Sequence, residues 1–387
     1  MKVVQAFNRH RRGGGSDNAG QATIDVLQSH AVSVVPFIYD SSDLQAGLRG
    51  RLRAFLDGLY ARDAVRRFET LLESNRPDLV HVHELYPLIS PWILPACRRR
   101  GVPVVMSCYD YRLTCPVATH VSHGRLCTRC MGGREHWAVL QNCRGNTAES
   151  VAYALRSALA RRLGLFAENV ARFATPSDFT GRWLVEKGGI PAGRVVTLPC
   201  LIDIPDEGAD PAAGSYVAFA GRFVPEKGVE VLLEAGRFSG LPLWLAGDAP
   251  VHPGVRPGDD VRLVITRSKS ELAAFYRGAR VLAVPSTWFE SFGIVAAEAM
   301  SHGIPVVASR IGALAETVQD GVTGLLFDVG DACDLALKLR ALWDDPERCR
   351  RLGRAGRERV SRLCQEEAHY RRLIEIYEAA LRDHRNS

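Results

Sequence analysis

Long apolar runs are what this sequence most plainly lacks. No stretch of 18 apolar residues occurs, which excludes a membrane-spanning helix. The opening Met1-Lys2-Val3-Val4-Gln5-Ala6-Phe7 is too short an apolar run for a signal peptide and reads as a first strand. A strong charge of one sign is also missing. A formal net charge of +6 over 387 residues permits attraction to anionic lipids or polyanions without arguing for either, and no nucleic-acid partner is expected. The loop Arg11-Arg12-Gly13-Gly14-Gly15-Ser16-Asp17 lacks the spacing of the dinucleotide fingerprint, which weakens a nicotinamide-cofactor reading. Internal repeats are absent apart from two series of strand and helix signals. These absences point to the cytoplasm, where ten cysteines are reduced thiols or metal ligands and not a disulfide framework.

What is present is an ordinary globular composition, 47% apolar and 24% charged, long enough for two domains that each bury a core. Strand signals at 3–7, 32–37 and 79–82 alternate with helical ones such as 17–27, the pattern of parallel βαβ units. The run 201–214 is rich in turn formers and reads as a linker. A second βα series follows from Tyr216. The spacing therefore predicts an N-terminal domain over 1–200 with a cysteine-containing loop region at 108–146, a C-terminal domain over 215–365, and a last helix over 366–387 that returns to the first domain.

Chemistry concentrates in the second half. In Pro285-Ser286-Thr287-Trp288-Phe289-Glu290-Ser291-Phe292-Gly293-Ile294-Val295-Ala296-Ala297-Glu298, a strand ends, a short loop follows, and a helix is expected from near Ser291, an N-cap residue type, past Glu298. Ser291, Ile294 and Glu298 then share one helix face. The amides of Phe292, Gly293 and Ile294 suit a diphosphate, the Glu298 carboxylate suits ribose hydroxyls, and Gly293 allows close backbone approach. The alternative is that Glu290 caps the helix and Glu298 is solvated. Upstream, Gly221-Arg222-Phe223-Val224-Pro225-Glu226-Lys227-Gly228 offers a planar guanidinium fork and a compact ammonium for phosphate oxygens.

Two glutamates separated by seven residues, together with the Gly-Arg and Lys-Gly loop, resemble the signatures of the large retaining glycosyltransferase family 4, which has the GT-B fold. Gly312-Ala313-Leu314-Ala315-Glu316 and Gly321-Val322-Thr323-Gly324 are similar to its closing pattern. The resemblance implies an α/β architecture of two Rossmann-like βαβ domains facing across a cleft. It implies transfer of a hexose from a nucleoside diphosphate sugar, a UDP-sugar first among them, with retention and without a catalytic metal. The acceptor would be a glycan, a lipid-linked sugar or a small molecule, as in polysaccharide biosynthesis. Glu290 would contact the transferred sugar and Glu298 the ribose. Arg222 and Lys227 would face the diphosphate beside Gly221, and the loop at Arg267 the base. Gly14 and Gly15 would lie against the diphosphate or the acceptor.

In that family a histidine follows the strand at 104–107 and often contacts the sugar. Tyr109 stands in its place here, and a phenol is a poor proton acceptor near neutral pH. Asp110 either positions an acceptor or makes an Asx turn, and His83 either lines the acceptor side or is a satisfied structural histidine. A nucleotide-sugar epimerase on the same fold and a non-catalytic nucleotide-sugar-binding module are the other readings. Donor hydrolysis separates enzyme from module, and an acceptor requirement separates transferase from epimerase.

Two features fall outside the resemblance. Cys115, Cys127, Cys130 and Cys143 have the residue type and rough spacing of one structural zinc, with buried thiols as the alternative. Residues 51–69 read as one basic amphipathic helix that is either a solvated face or a peripheral contact with the inner face of a membrane.

Overall fold

The computed structural model describes residues 1–9, 15–41, 48–247, 252–256 and 259–385. The chain divides into two compact units. Met1–His120, Thr128–Pro199 and His369–Ser387 form the first, and Val121–Cys127 and Cys200–Ala368 the second.

The first unit runs β1 (Lys2–Arg9), α1 (Gly15–Ser29), β2 (Ser33–Asp40), α2 (Leu48–Tyr60), α3 (Arg62–Asn75), β3 (Leu79–Val82), α4 (Ile93–Arg99) and β4 (Val104–Ser107). A short hairpin, β5 (Val121–Ser122) and β6 (Arg125–Leu126), interrupts the order before α5 (His136–Leu140), α6 (Thr147–Arg162), β7 (Arg172–Thr175), α7 (Asp178–Gly188) and β8 (Val195–Thr197). Its sheet has the order β2-β1-β3-β4-β7-β8, with every pairing parallel. The strands are near-continuous apolar runs because a parallel sheet is covered on both faces: Val80, Val82, Val104 and Phe173 lie in one core cluster, and Val3, Leu79, Val105 and Ala174 in another.

The second unit runs β9 (Tyr216–Ala220), α8 (Val229–Ser239), β10 (Leu243–Ala246), β11 (Val261–Val264), α9 (Lys269–Arg277), β12 (Ala279–Val284) and α10 (Ile294–Ser301). It continues through β13 (Val306–Ser309), α11 (Leu314–Thr317), β14 (Gly324–Phe327), α12 (Ala332–Trp343) and α13 (Pro346–Cys364). The parallel order is β11-β10-β9-β12-β13-β14. Residues 201–214 are held within this unit, where the Ile202 N–H bonds to the Cys364 carbonyl at 2.9 Å and Arg350 reaches Asp210 at 3.0 Å.

The last helix, α14 (Glu366–Arg385), belongs to the first unit from His369 onward, with Leu373, Ile376, Tyr377 and Ala380 on its buried face. The single helix expected over 51–69 is instead two. The chain breaks at Ala61, whose ψ of 77° leaves the helical region and whose N–H is taken by Ser90 Oγ at 3.3 Å. No helix among the described residues is long and apolar enough to cross a membrane.

Candidate active site

In the second unit the strand order turns back on itself between β9 and β12, so the loops after these two strands diverge from a common point. That switch point is where open α/β sheets hold ligands. The loop after β9 is 221–228 and the loop after β12 is 285–293, so the sequence-distant motifs meet because of topology. Gly228, at φ +70°, fits only because it lacks a Cβ, which would collide with the Pro285 carbonyl oxygen. The Thr287 N–H bonds to the Glu226 carbonyl at 2.9 Å and locks the two loops together.

This contact sets Lys227 Nζ 2.6 Å from Glu290 Oε1. The same oxygen accepts from Ser286 Oγ at 2.8 Å and from Trp288 Nε1 at 2.9 Å. Glu290 is 7% exposed, and three donors on one oxygen are what makes burying a carboxylate tolerable. Its main chain is fixed from outside the motif by the Ala313 N–H, 2.9 Å from the Glu290 carbonyl. Lys227 also lies 5.1 Å from the Trp288 ring centre.

The helix begins three residues later than expected, at Ile294 and not near Ser291. Gly293 is the N-cap at φ +84°, where a Cβ would stand 2.6 Å from Leu314 Cδ2. The packed left-handed turn overrides the capping preference of Ser291. Phe292 is buried with its carbonyl accepting from Thr317 Oγ1 at 2.6 Å, and the first-turn amides become those of Ile294 and Val295. Ile294 and Glu298 keep a shared face. Glu298 Oε2 accepts the Tyr276 hydroxyl at 2.8 Å; burial raises the Glu298 pKa, against the lowering effect of that bond.

Around this centre Gly221 donates its N–H to the Ala246 carbonyl at 2.9 Å. Arg222 and Arg267 are exposed, and neither side chain makes an ion pair among the described residues. The Arg267 N–H bonds to Glu271 Oε2 at 2.6 Å, while Ser268 caps α9 by accepting from the Glu271 N–H at 3.1 Å.

In the first unit Gly14 lies outside the described residues and Gly15 opens α1. His83 is fully enclosed and both of its ring nitrogens are bonded. Nε2 is 2.8 Å from Gln5 Oε1, and Nδ1 is 3.1 Å from the Tyr109 hydroxyl. The directions follow from Gln5, which donates through Nε2 to Tyr377 at 3.0 Å and so presents its oxygen to His83. His83 therefore carries its hydrogen on Nε2 and accepts from Tyr109 on Nδ1. The Tyr377 hydroxyl lies 2.7 Å from His81 Nδ1, and His81 Nε2 lies 2.9 Å from Ser107 Oγ. Among the described residues both ring nitrogens of His83 are thus occupied, Nδ1 by the less buried Tyr109. Asp110 Oδ1 accepts from the Arg112 N–H at 3.0 Å and Nε at 2.9 Å, and the guanidinium also grips Glu84 with both of its terminal nitrogens. Burial works against the Arg112 charge, but Asp110 and Glu84 together raise its pKa above the ordinary value.

Burial, with the like charge of His369 added, pulls His83 down from 6.5 to about 3, and burial also lowers His81 and His369. The unfolded chain takes up these protons as pH falls through about 6.5, whereas the folded chain does not. Stability is therefore intact above that pH and is lost as pH falls toward the folded values, by up to about 1.4 kcal/mol per pH unit for each histidine. The urea midpoint should fall between pH 7 and pH 5 less steeply in His83→Gln than in the wild type. Parallel slopes would contradict the buried neutral assignment.

No group of three or more His, Cys, Asp or Glu side chains suited to a metal is present among the described residues. Cys127 falls in the second unit, while Cys115, Cys130 and Cys143 fall in the first. Cys115 is committed to its own turn, donating its N–H to the Tyr111 carbonyl at 2.8 Å with its sulfur against the amides of 117–120, and burial raises its pKa. Cys130 and Cys143 pack with Ala138, Trp137 and Ala154.

Several partners were not visible in the sequence. Ser286, Trp288 and Tyr276 bind the two glutamates, and Gln5, Tyr377, Glu84 and Arg112 organise the histidine side. A signal existed for Tyr377 alone, as a hydroxyl among Leu373, Ile376 and Ala380 on the last helix.

Residues 204–359 match the family described as Glycosyl transferases group 1, and residues 27–200 match the Glycosyl transferase 4-like domain. The D-inositol 3-phosphate glycosyltransferase of Thermomonospora curvata is 30% identical over 358 residues, covering 86% of this chain and 77% of that protein. The chain belongs to this glycosyltransferase family. Another relative of the same name, from Corynebacterium kroppenstedtii, is 36% identical over 191 residues, 44% of this chain and 42% of its own length. That match spans about two fifths of the relative. Among solved structures, sucrose-phosphate synthase from Thermosynechococcus elongatus aligns with a TM-score of 0.70 at 22% identity and 99% coverage of both chains. HepE from Anabaena, in complex with UDP-glucose, aligns with a TM-score of 0.64 at 18% identity, covering 98% of this glycosyltransferase and 100% of that chain. At these identities the likeness establishes the fold, which is GT-B.

Proposed function

We propose that this glycosyltransferase is a retaining hexosyltransferase that needs no metal and moves a sugar from a nucleoside diphosphate to an acceptor hydroxyl of a glycan, lipid-linked sugar or small molecule. The observation that carries this reading is the meeting of Lys227 and Glu290 at the switch point, with Glu298 one turn into the helix that follows. Lys227, the exposed Arg222 and the first turn of α10 form a cationic setting for a diphosphate. Glu298 supplies an acceptor for ribose hydroxyls, and the loop at Arg267 supports the base. HepE, whose structure holds UDP-glucose, supports UDP as the nucleotide to test first.

In the reaction the bond from the anomeric carbon to the phosphate oxygen breaks while the acceptor oxygen bonds to the same face. The acceptor's proton passes to the leaving diphosphate. Glu298 is assigned to ribose, which leaves no second carboxylate for a double displacement. Lys227 and the helix N-terminus stabilise the charge growing on the leaving group, while Lys227 at Oε1 orients Glu290 toward the sugar.

The test is a melting-temperature screen of UDP-, GDP-, ADP- and dTDP-sugars with and without EDTA. One nucleotide series should raise the melting temperature, by the same amount with chelator, because a ligand that binds only the folded state stabilises it. A shift abolished by EDTA and restored by Mg²⁺ would defeat the metal-free reading, and no shift with any donor would defeat the donor assignment.

A further inference from the structure

The first unit contains a cavity of about 360 Å³ to which the donor reading gives no role. That volume is at the small end of ligand sites and suits one ring or a short chain. Its walls come from the turn after β4, the segment around Met131, α6, and the end of α7. Leu113, Met131, Phe166 and Ile190 give it an apolar surface.

Two polar groups in this lining stand out among the described residues. Tyr86 is 7% exposed and its hydroxyl makes no hydrogen bond among the described residues; only its backbone N–H is engaged, with Glu84 at 2.9 Å. Burial pushes this phenol up to about 12, so it is a neutral donor, and it is near enough to Arg156 and Arg112 to be affected by both charges. A phenol hydroxyl that makes no hydrogen bond among the described residues keeps its donor for a ligand in the cavity.

Arg156 is the second. Its guanidinium is stacked between the rings of Tyr86 at 4.1 Å and Tyr153 at 3.7 Å and has no carboxylate partner among the described residues. The other cations of the lining are answered. Arg112 is gripped by Glu84 and Asp110, Arg161 lies 2.6 Å from Glu135, and Lys187 lies 3.9 Å from Glu186 at the exposed mouth. The charge balance of the cavity therefore leaves one held and uncompensated cation beside one unpartnered donor, over an apolar wall.

We propose that this cavity binds a small amphipathic anion, a carboxylate or phosphate on an apolar body, with Arg156 and Tyr86 on the anionic group. The aromatic sandwich fixes the guanidinium in place, so little ordering is required on binding. The inference does not depend on the transferase reading, because no donor enters its test.

The experiment is calorimetric titration of the full chain with octanoate, octyl phosphate, 1-octanol, inorganic phosphate and D-inositol 3-phosphate, each below any micellar concentration. One octanoate or one octyl phosphate should bind per chain, and whichever binds more tightly identifies the anionic group. Octanol and inorganic phosphate should each bind at least about tenfold more weakly. Arg156→Gln should weaken the anion by about tenfold or more, on the scale of a hydrogen bond to a charged group. Tyr86→Phe should weaken it severalfold while leaving the melting temperature unchanged or higher, because the oxygen it removes makes no hydrogen bond among the described residues. Octanol binding as tightly as octanoate, or D-inositol 3-phosphate binding more tightly than octyl phosphate, overturns the assigned chemistry. Saturable binding of neither anion, or anion affinities unchanged in both folded variants, overturns the site.

Discussion

Lys227→Ala should lower turnover at saturating donor by about 100- to 1,000-fold, about 2.7–4 kcal/mol, the scale on which a preorganised donor to developing charge acts. Lys227 is held on two sides, by Glu290 Oε1 at 2.6 Å and by the Gly228 turn seated on Pro285. An ammonium carries three donors, so the contact with Glu290 leaves capacity for the diphosphate. Because the proposed contact strengthens as the glycosidic bond breaks, the loss should appear in turnover and not only in the apparent Michaelis constant. Ser286 and Trp288 still bind Glu290 in the variant, so the fold should persist and the effect should be readable. Arg222→Lys should also be impaired, since a point charge cannot reproduce a two-pronged contact. The double variant should lose less than the product of the single losses, because both cations are proposed to serve one diphosphate. Wild-type turnover in both single variants at saturating donor would reduce these cations to ground-state binding and defeat the mechanism.

The two glutamates should separate by role. Glu298→Ala should weaken binding of free UDP by about tenfold or more, the scale of losing a charge-assisted hydrogen bond. Tyr276, which donates to Glu298 at 2.8 Å, is then left without its acceptor, so Tyr276→Phe serves as the control: it keeps the carboxylate and should cost UDP binding much less. Glu290→Ala should leave UDP affinity nearly unchanged and cut transfer by about 100-fold or more, since its proposed partner is the sugar and not the nucleotide. Titration of UDP into each variant, followed by donor turnover, checks both halves. Equal loss of UDP affinity in Glu290→Ala and Glu298→Ala would contradict the division.

The alternating pattern made the two parallel sheets legible, because strands covered on both faces must be apolar throughout and their connections must be helices long enough to cross back. The meeting of 221–228 with 285–298 was legible only as a resemblance; its cause, adjacent strands at a switch point, is a property of topology. The helix start was misplaced because Ser291 carries a good local capping signal, whereas Gly293 is fixed by contact with Leu314 far along the chain. The break at Ala61 left no trace, since alanine favours helix and the decisive bond comes from Ser90. Spacing suggested that Cys115, Cys127, Cys130 and Cys143 gather; Cys130 and Cys143 share one cluster with Ala138 and Ala154, and Cys115 is held in its own turn. His83 could be recognised, but not its tautomer, which is set by Gln5 and a tyrosine on the last helix.

The most direct test of the donor site is hydrogen exchange of the full chain with and without saturating UDP-glucose, read by peptide. The account predicts slowed exchange over 221–228 and over 286–298, where the Lys227 loop, Glu290 and the first turn of α10 surround the proposed diphosphate. Saturated binding with exchange in both segments unchanged would contradict it.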